Sequence, residues 1–294
     1  MFSKKIAEIK SDRTSGASQI ARNALTVLKC FAQTNRSKSS KIFVTEFTEL
    51  GKQLFETRPN MAPVQNLVAQ IVYGVNSLEK HDLGLIQNVT LSKIDALIQQ
   101  SESAVKESAE HAASLIGDFD RVSTCSYSST TCEAFKTAKN QGKQFKVFVA
   151  ESKTADNRFS YGNDLATFLE SIDVPVQVFP DNKISEYVQK TNCALVGADS
   201  ILADGSVING TPTRDVALAS KNYSIPFYCV CETAKVNALT YLSKKGEVKQ
   251  GFDVITSDLL TGVITENGIL NKKTIRDLMK EKAKFLEFFS VTRV

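Results

Sequence analysis

The segment ALVGADSILADGSVING, residues 194–210, joins a short apolar run to an acid and a turn. Leu195 and Val196 belong to the apolar run, which is typical of a strand buried in a parallel sheet. The run ends just before Asp199, and Asp204-Gly205 then predicts a tight turn. A carboxylate at Asp199 can cap a turn, bind a sugar hydroxyl or act as an acid or base, and the local sequence leaves these roles open.

Strands and helices alternate on both sides of this segment. Strands are predicted over residues 121–126, 145–151, 174–179, 193–196 and 227–231, with helices between them. This order predicts a parallel sheet with right-handed crossovers. The fold class that we predict is therefore α/β, with a doubly wound, mostly parallel, Rossmann-like sheet in a ligand-binding domain over residues 117–294.

The first part of the chain has a different pattern. Apolar residues recur at helical spacing over residues 18–31, 41–57, 60–75 and 91–116. Polar connectors separate these segments, as at residues 34–41. We predict an N-terminal helical domain over residues 1–116.

The bulk composition excludes several classes of protein. The 294 residues are 42% hydrophobic and 23% charged, with a net charge of +4, which is typical of a globular protein. Without a block of lysine and arginine, no direct binding of nucleic acid is expected. No apolar run is long enough for a membrane span, and the N-terminal segment lacks the apolar core of a signal peptide. We expect a cytoplasmic protein with no membrane partner.

The cysteine pattern indicates reduced thiols and no metal site. Six cysteines are present and none forms a CxxC pair, while the two histidines, His81 and His111, are far from any cysteine cluster. Glycine-rich signatures of dinucleotide sites and P-loops are also missing from the sequence. We therefore expect no metal ion and no organic cofactor.

Chemically active side chains stand where the predicted strands end. Parallel sheets bind ligands beyond the carboxyl ends of their strands, so these residues are the first candidates for a site. The strand-end candidates are Cys125, Ser126, Glu151, Lys153, Asp199, Glu232 and Lys235. Asn209 adds an amide that can hold a sugar hydroxyl. The start of the following helix would lower the pKa of the Cys125 thiol, although a small buried residue in this place would have the same sequence pattern.

Several segments together resemble one protein superfamily. They are DRTSGASQIARNAL (12–25), VFVAESK (147–153), LVGADSILADGSVIN (195–209), VALASKNYSIPFYCVCETAKV (216–236) and FDVITSDLLTGVITENGIL (252–270). They resemble the superfamily that contains the α, β and δ regulatory subunits of initiation factor 2B, ribose-1,5-bisphosphate isomerase and methylthioribose-1-phosphate isomerase. The resemblance extends over nearly the whole chain, including its helical part.

The resemblance implies a set of site residues. Cys125 and Asp199 occupy the positions of the proposed catalytic cysteine and aspartate of the isomerases. Residues at or near the positions that bind substrate are Arg13, Gly16, Ala17, Ser126, Glu151, Lys153, Arg158, Asn209, Arg214 and Lys235. An aldose–ketose isomerase of this type interconverts phosphorylated sugars and requires neither metal nor organic cofactor. The alternative implied by the resemblance is a non-catalytic regulatory subunit that binds a phosphorylated sugar or nucleotide-like molecule and acts in translation initiation. The partners of such a regulatory subunit would be initiation factor 2 or other 2B-like subunits. Both the isomerase and the regulatory subunit imply a homodimer or a larger homo-oligomer.

Four positions depart from the isomerase pattern. Gly210 follows Asn209 where the isomerases have a lysine, and Lys153 replaces an arginine. Thr124 replaces the histidine before the catalytic cysteine, and Ser15 replaces the arginine of the Arg-Gly-Ala loop. Each lost charge-assisted phosphate contact costs roughly 1.5 to 3 kcal/mol. The departures favour a different phosphorylated ligand, or binding without turnover.

Overall fold

Five helices form the first part of the chain. The computed structural model describes residues 2–242, 248 and 250–291. The helices are α1 (Phe2–Ser11), α2 (Ala17–Thr34), α3 (Ser40–Phe55), α4 (Ala62–Asn76) and α5 (Leu83–Ser114). Helix α5 begins eight residues before the predicted start at 91, because the Asp82 side chain caps it by accepting from the backbone N–H groups of Gly84 and Leu85. Helix α1 is amphipathic and was not predicted as a helix.

The second part alternates strands and helices, as predicted. The strands are β1 (Asp120–Thr124), β2 (Phe145–Ala150), β3 (Val176–Phe179), β4 (Cys193–Val196), β5 (Ser200–Ile201), β6 (Val207–Gly210), β7 (Phe227–Val230), β8 (Phe252–Ile255), β9 (Gly262–Thr265) and β10 (Gly268–Leu270). The helices are α6 (Ser129–Asn140), α7 (Tyr161–Ser171), α8 (Ile184–Val188), α9 (Thr213–Asn222), α10 (Ala238–Tyr241) and α11 (Lys272–Val291). The predicted strand over 121–126 ends at Thr124, because Ser126 has a positive φ of 62° that turns the chain out of the sheet.

The main sheet has the strand order β10-β9-β7-β4-β1-β2-β3 and is parallel except for β10. From β1 the chain moves to β2 and β3 on one side, and then returns to β4, β7 and β9 on the other. The order therefore reverses between β1 and β4, and a crevice opens there at the carboxyl ends of the two strands. The predicted fold class is confirmed.

A second, three-stranded antiparallel sheet was not predicted. Its order is β5-β6-β8, and it follows directly from the segment after β4. Strands β5 and β6 form a hairpin around the turn at Asp204-Gly205, where Gly205 has a positive φ of 84°. The turn prediction is thus confirmed, but β5 contains only Ser200–Ile201, which is too short to give a recognisable alternating pattern.

Two groups of buried apolar side chains cover the two faces of the main sheet. One group joins the helical part to Phe148, Phe179 and Phe227 of the sheet. The other packs the C-terminal turns of α5 and helices α6 and α7 against the opposite face, where Phe135 is fully buried. Burial of one such phenylalanine contributes about 1.5 to 3 kcal/mol. Because the first group spans both parts of the chain, the division at residues 116/117 stays a prediction.

No helix in the described part of the chain is both long enough and apolar enough to cross a lipid bilayer.

Gly162 gives a direct test of the packing of α7 on β2. A Cβ atom at Gly162 would lie 2.0 Å from the Ala150 carbonyl oxygen, so Gly162→Ala is expected to destabilise the chain by about 1–3 kcal/mol in urea unfolding. The control is Gly74→Ala in α4, where the nearest atom would be the flexible end of Lys93, 3.4 Å away. We expect that control to unfold at the same or a higher urea concentration. Equal stability of the two variants would contradict the close contact of α7 with β2.

Candidate functional site

The crevice between β1 and β4 brings the two predicted catalytic residues to one edge of the sheet. Cys125 directly follows β1, and Asp199 follows β4 after a Gly-Ala pair. Gly197 is required here, because a Cβ atom would lie 2.5 Å from the Ser128 side chain at the start of α6. The chain after β4 therefore passes directly against the segment after β1.

The backbone of Asp199 is fixed from two sides. Its N–H donates to the Ile208 carbonyl at 2.7 Å, and its own carbonyl accepts from the N–H of Ala62 at 3.2 Å. Asp199 thus lies between strand β6 and the N-terminus of α4. No described residue hydrogen-bonds to its carboxylate, and the nearby turn is instead closed by Asp204, which accepts from the N–H of Ser206 at 2.9 Å. The turn-capping role that the sequence left open belongs to Asp204.

The Asp199 carboxyl group has a raised pKa. Burial raises it, the positive charges of Lys235 and Arg58 lower it, and the Glu232 carboxylate raises it again, which gives a pKa of about 6. Asp199 is therefore close to half-protonated just below neutral pH. A group with this pKa can both accept and return a proton under physiological conditions.

Glu232 and Lys235 form a buried pair of charges next to Asp199. The Glu232 carboxylate is fully buried and accepts hydrogen bonds from the hydroxyl of Ser18 and, at 3.4 Å, from that of Thr130. Lys235 is only 4% exposed. Burial lowers the pKa of Lys235, but the Glu232 and Asp199 charges outweigh it and the net shift is upward. Lys235 consequently stays positively charged in the site.

Arg58 is a site residue that the sequence analysis missed. Its guanidinium donates to the carbonyl of Ile9 at 3.0 Å and to that of Asp12, which fixes it beside the N-terminal loop. Burial and the nearby charge of Arg13 lower the pKa of Arg58, and its own charge acts on Asp199. The sequence feature that could have indicated Arg58 is its position two residues before Asn60, in the short connector that leads into α4.

Cys125 is connected to the small sheet through Thr213. The Cys125 Sγ lies 3.3 Å from the Thr213 hydroxyl oxygen, and the side-chain N–H of Asn209 donates to that same oxygen at 2.9 Å. The Thr213 hydroxyl in turn donates to the Gly210 carbonyl at 2.5 Å. Asn209, predicted to hold a sugar hydroxyl, thus positions Thr213 at the start of α9.

Of the two alternatives that the sequence left open for Cys125, the structure favours the small buried residue over a thiol of lowered pKa. The thiol is 1% exposed, and burial raises its pKa to about 12. The Thr213 hydrogen bond lowers it slightly, while the carboxylates of Asp253, Asp181 and Asp215 raise it. Burial is the largest cause, and the three carboxylates, which come from distant parts of the sequence, act in the same direction. Cys125 is therefore a neutral thiol at physiological pH.

The segment after β2 contributes a charged loop beside Ser126. Glu151 and Lys153 form an ion pair with each other at 3.0 Å, and the backbone N–H of Ser126 donates to the Ser152 hydroxyl at 2.7 Å. Arg158 is exposed and contacts Asp156 in its own loop at 3.6 Å. The described contacts do not join Arg158 to Cys125 or Asp199.

The other predicted binding residues lie at the start of helices. A Cβ atom at Gly16 would lie 2.9 Å from the Ser129 hydroxyl, so the loop before α2 meets the start of α6. Ala17 is buried as the first residue of α2, whereas Arg13 is exposed in the preceding loop. Arg214 is also exposed, in the first turn of α9. Within the described ranges, no group of three or more His, Cys, Asp or Glu side chains is arranged to hold a metal ion.

The burial of the cysteines predicts the order of their chemical labelling. Cys30 is partly exposed, while the other five, Cys125 included, are buried. We expect iodoacetamide at pH 8 to modify Cys30 first in the native protein, because only an accessible thiolate reacts readily. Mass spectrometry of tryptic peptides over time gives the rates, with urea-unfolded protein as the reference. Labelling of Cys125 as fast as that of Cys30 would contradict the environment described for it.

Comparison with known proteins agrees with this architecture. The model of the initiation factor 2 subunit family matches residues 13–251. Ribose 1,5-bisphosphate isomerase of Pyrococcus furiosus is 29% identical, over 94% of this chain and 93% of that protein. A putative translation initiation factor eIF-2B subunit 2-like protein of the same organism is 30% identical, over 90% and 94%. The crystal structure of translation initiation factor eIF-2B from Pyrococcus horikoshii OT3 superimposes with a TM-score of 0.78 at 27% identity, over 92% of this chain and 96% of that one.

Proposed function

The chain belongs to the initiation factor 2 subunit family, and within that family we propose that it is a sugar-phosphate aldose–ketose isomerase that resembles ribose 1,5-bisphosphate isomerase. The observation that carries the proposal is the Asp199 carboxyl group. It lies at the point where the strand order reverses, it has no hydrogen-bond partner among the described residues, and its pKa is raised to about 6. A carboxyl group without a structural partner, tuned toward neutral pH, is typical of a catalytic acid or base.

Asp199 exchanges protons with the hydroxyl groups of the sugar in this proposal. At pH 7 a carboxyl group with a pKa near 6 is about nine-tenths ionised, so most molecules hold the base in its active form. The proton that it takes from one hydroxyl returns to another oxygen of the same sugar. Lys235 stays charged nearby and stabilises negative charge that develops on the sugar oxygens.

Cys125 supplies the second acid or base. Its raised pKa keeps the proton on sulfur, which suits a donor more than a base in the resting state. Conversion of an aldose to a ketose moves hydrogen from C2 to C1 and leaves the overall oxidation state of the sugar unchanged. The reaction therefore needs no external oxidant or reductant, and the two side chains can return to their starting protonation states in each cycle.

The phosphate of the sugar is held by positive charge in this proposal. The charges of Arg58 and Lys235 act on Asp199, and Arg13 is close enough to Arg58 to lower its pKa. A charge-assisted hydrogen bond from such a cation to phosphate contributes about 1.5 to 3 kcal/mol. Gly16 and Ala17 bring the N-terminus of α2 to the start of α6, where backbone N–H groups favour anions. The remaining residues of the binding set, which we assign to the sugar and not to its phosphate, are Ser126, Glu151, Lys153, Arg158, Asn209 and Arg214.

A second function is favoured by a separate observation. Cys125 is deeply buried, has a high pKa and contacts Thr213, and these properties also fit a purely structural residue that takes no part in a reaction. A chain that binds a phosphorylated sugar without turnover would be a regulatory subunit, as the similarity to the putative initiation-factor subunit suggests. In either case we propose a homodimer or larger homo-oligomer, with initiation factor 2 or other 2B-like subunits as partners of the regulatory form.

Turnover by active-site variants tests the isomerase proposal. Purified protein is incubated with ribose 1,5-bisphosphate, methylthioribose 1-phosphate and a panel of sugar monophosphates, and ketose formation is followed by NMR. We expect Asp199→Asn to lower kcat by on the order of 10²- to 10⁴-fold, because the amide cannot take up a proton. Cys125→Ser is expected to lower kcat while circular dichroism and melting temperature stay close to those of the unmodified chain.

Matched controls separate chemistry from folding. Asp204→Asn changes an aspartate in the hairpin turn five residues away, and Cys193→Ser changes a buried thiol at the opposite end of the sheet. Both are expected to retain turnover. If no substrate is converted and the protein instead co-purifies with initiation factor 2, the regulatory function replaces the isomerase. Turnover that survives both active-site substitutions would rule out the assigned residues.

A further inference from the structure

We propose that the crevice accepts a sugar carrying a single phosphate and discriminates against bisphosphates. Backbone N–H groups that could bind a second phosphate, at the N-terminus of α9 and after β2, are already hydrogen-bonded to carboxylates of the chain. This inference rests on the site of the proposed function and names its substrate class. The relevant region is the part of the crevice between Cys125, the loop after β2 and the N-terminus of α9. We call it the acidic end, and its charged residues are Glu151, Lys153, Asp181, Arg214, Asp215 and Asp253.

The N-terminus of α9 is neutralised from within the chain. One oxygen of the Asp253 carboxylate accepts from the backbone N–H of Arg214 at 3.0 Å, and the other accepts from the Thr211 hydroxyl at 3.1 Å. Asp253 is on β8, directly opposite Asn209 of β6, so the small sheet fixes it in this place. A helix N-terminus of this kind is a ready site for phosphate, but here a side-chain carboxylate already fills it.

The backbone groups after β2 are filled in the same way. The two oxygens of Asp181 accept from the N–H groups of Ser152 at 2.8 Å and Lys153 at 3.1 Å. Ser152 has a positive φ of 52°, a conformation that turns successive N–H groups toward one anion. The Lys153 ammonium group is itself paired with Glu151 at 3.0 Å. Neither the backbone nor the lysine is left available for a phosphate of the ligand.

Both carboxylates are close to Cys125. Arg214, which bonds Asp253, follows Thr213, whose hydroxyl lies 3.3 Å from the Cys125 sulfur. Ser152, which bonds Asp181, also accepts from the N–H of Ser126, the residue after Cys125. Four carboxylates therefore face two cations in this region, and a second phosphate placed there would meet net negative charge.

The position after Asn209, where the isomerase pattern has a lysine, is in close contact with Ser126. A Cβ atom at Gly210 would lie 2.9 Å from the Ser126 hydroxyl, so a longer side chain requires Ser126 to move. Gly210 and Ser126 are thus fitted to each other. The close contact between Gly210 and Ser126 thus accompanies the absence of a positive charge at position 210 in the acidic end.

The opposite side of the crevice retains its cations. Lys235 and Arg58 act on Asp199 through their charges, and Arg13 in turn acts on Arg58. The carboxylates there are Asp12, Asp199 and Glu232. Asp12 accepts from the N–H groups of Thr14 and Ser15, and Glu232 accepts from two hydroxyl groups. Three cations balance three acids here, whereas carboxylates outnumber cations at the acidic end, so the single phosphate is expected on this side and the uncharged end of the sugar on the other.

Isothermal titration calorimetry of the unmodified protein tests the inference with three probes: ribose 1-phosphate, ribose 5-phosphate and ribose 1,5-bisphosphate. We expect at least one monophosphate to bind tenfold or more tightly than the bisphosphate. Asp253→Asn and, separately, Asp215→Asn are expected to raise the affinity for the bisphosphate relative to the monophosphate at least threefold. Asp215 is exposed and its carboxylate has no hydrogen-bond partner among the described residues, so that variant remains informative if Asp253→Asn does not fold. Glu110→Gln, which removes an exposed acid on α5, serves as the control and should leave the ratio unchanged.

Each outcome decides between the two proposals. Tighter binding of the bisphosphate, an unchanged ratio in the folded aspartate variants, or no binding of either monophosphate would overturn the inference about substrate class. Tight binding of a monophosphate that is never converted to a ketose supports that inference and rejects the isomerase function. The two proposals can therefore fail separately.

Discussion

The buried charges of Glu232 and Lys235, together with the half-buried Asp199 beside them, are the constraint around which the rest of the structure is arranged. An isolated charge in a protein interior is strongly unfavourable unless it is paired or hydrogen-bonded. Glu232 meets this requirement through two hydroxyl groups and the nearby Lys235, whose charge Glu232 and Asp199 maintain. Asp199 has only partial compensation, and this is the physical reason why its pKa is raised. The reactivity that we assign to Asp199 thus follows because the positive charges of Lys235 and Arg58 only partly offset the effects of burial and of Glu232 on its pKa.

The helical part of the chain completes this charge set and cannot be separated from the site. Ser18 at the start of α2 donates to Glu232, and Ala62 at the start of α4 bonds the Asp199 carbonyl. The side-chain amide of Asn66 donates to the carbonyls of Ala234 and Val236, at 2.7 and 2.8 Å, on either side of Lys235. Four hydrogen bonds from three residues of two helices therefore fix the segments that carry the three charged residues, so a movement of the helices relative to the sheet would alter the electrostatics of the site.

Local patterns in the sequence predicted five of the seven strands of the main sheet and the position of Asp199, but not β9 and β10. The small sheet was missed because β5 has two residues and β8 pairs with β6 across more than forty residues of chain. The direction of the Cys125 pKa shift was left open by the sequence for a related reason. It is set by burial and by Asp181, Asp215 and Asp253, which only the fold brings near. Arg58 was missed since its link to Asp199 is likewise a tertiary one.

The direct test of this account is the titration of the Asp199 carboxyl group by NMR in protein labelled with ¹³C-aspartate. Comparison with Asp199→Asn assigns the resonance, and Glu232→Gln removes the neighbouring negative charge. The account predicts a pKa near 6 in the unmodified chain and a lower value in the Glu232 variant, because a carboxylate that raises the Asp199 pKa has been removed. A pKa near the ordinary aspartate value of 3.8, unaffected by Glu232→Gln, would contradict it.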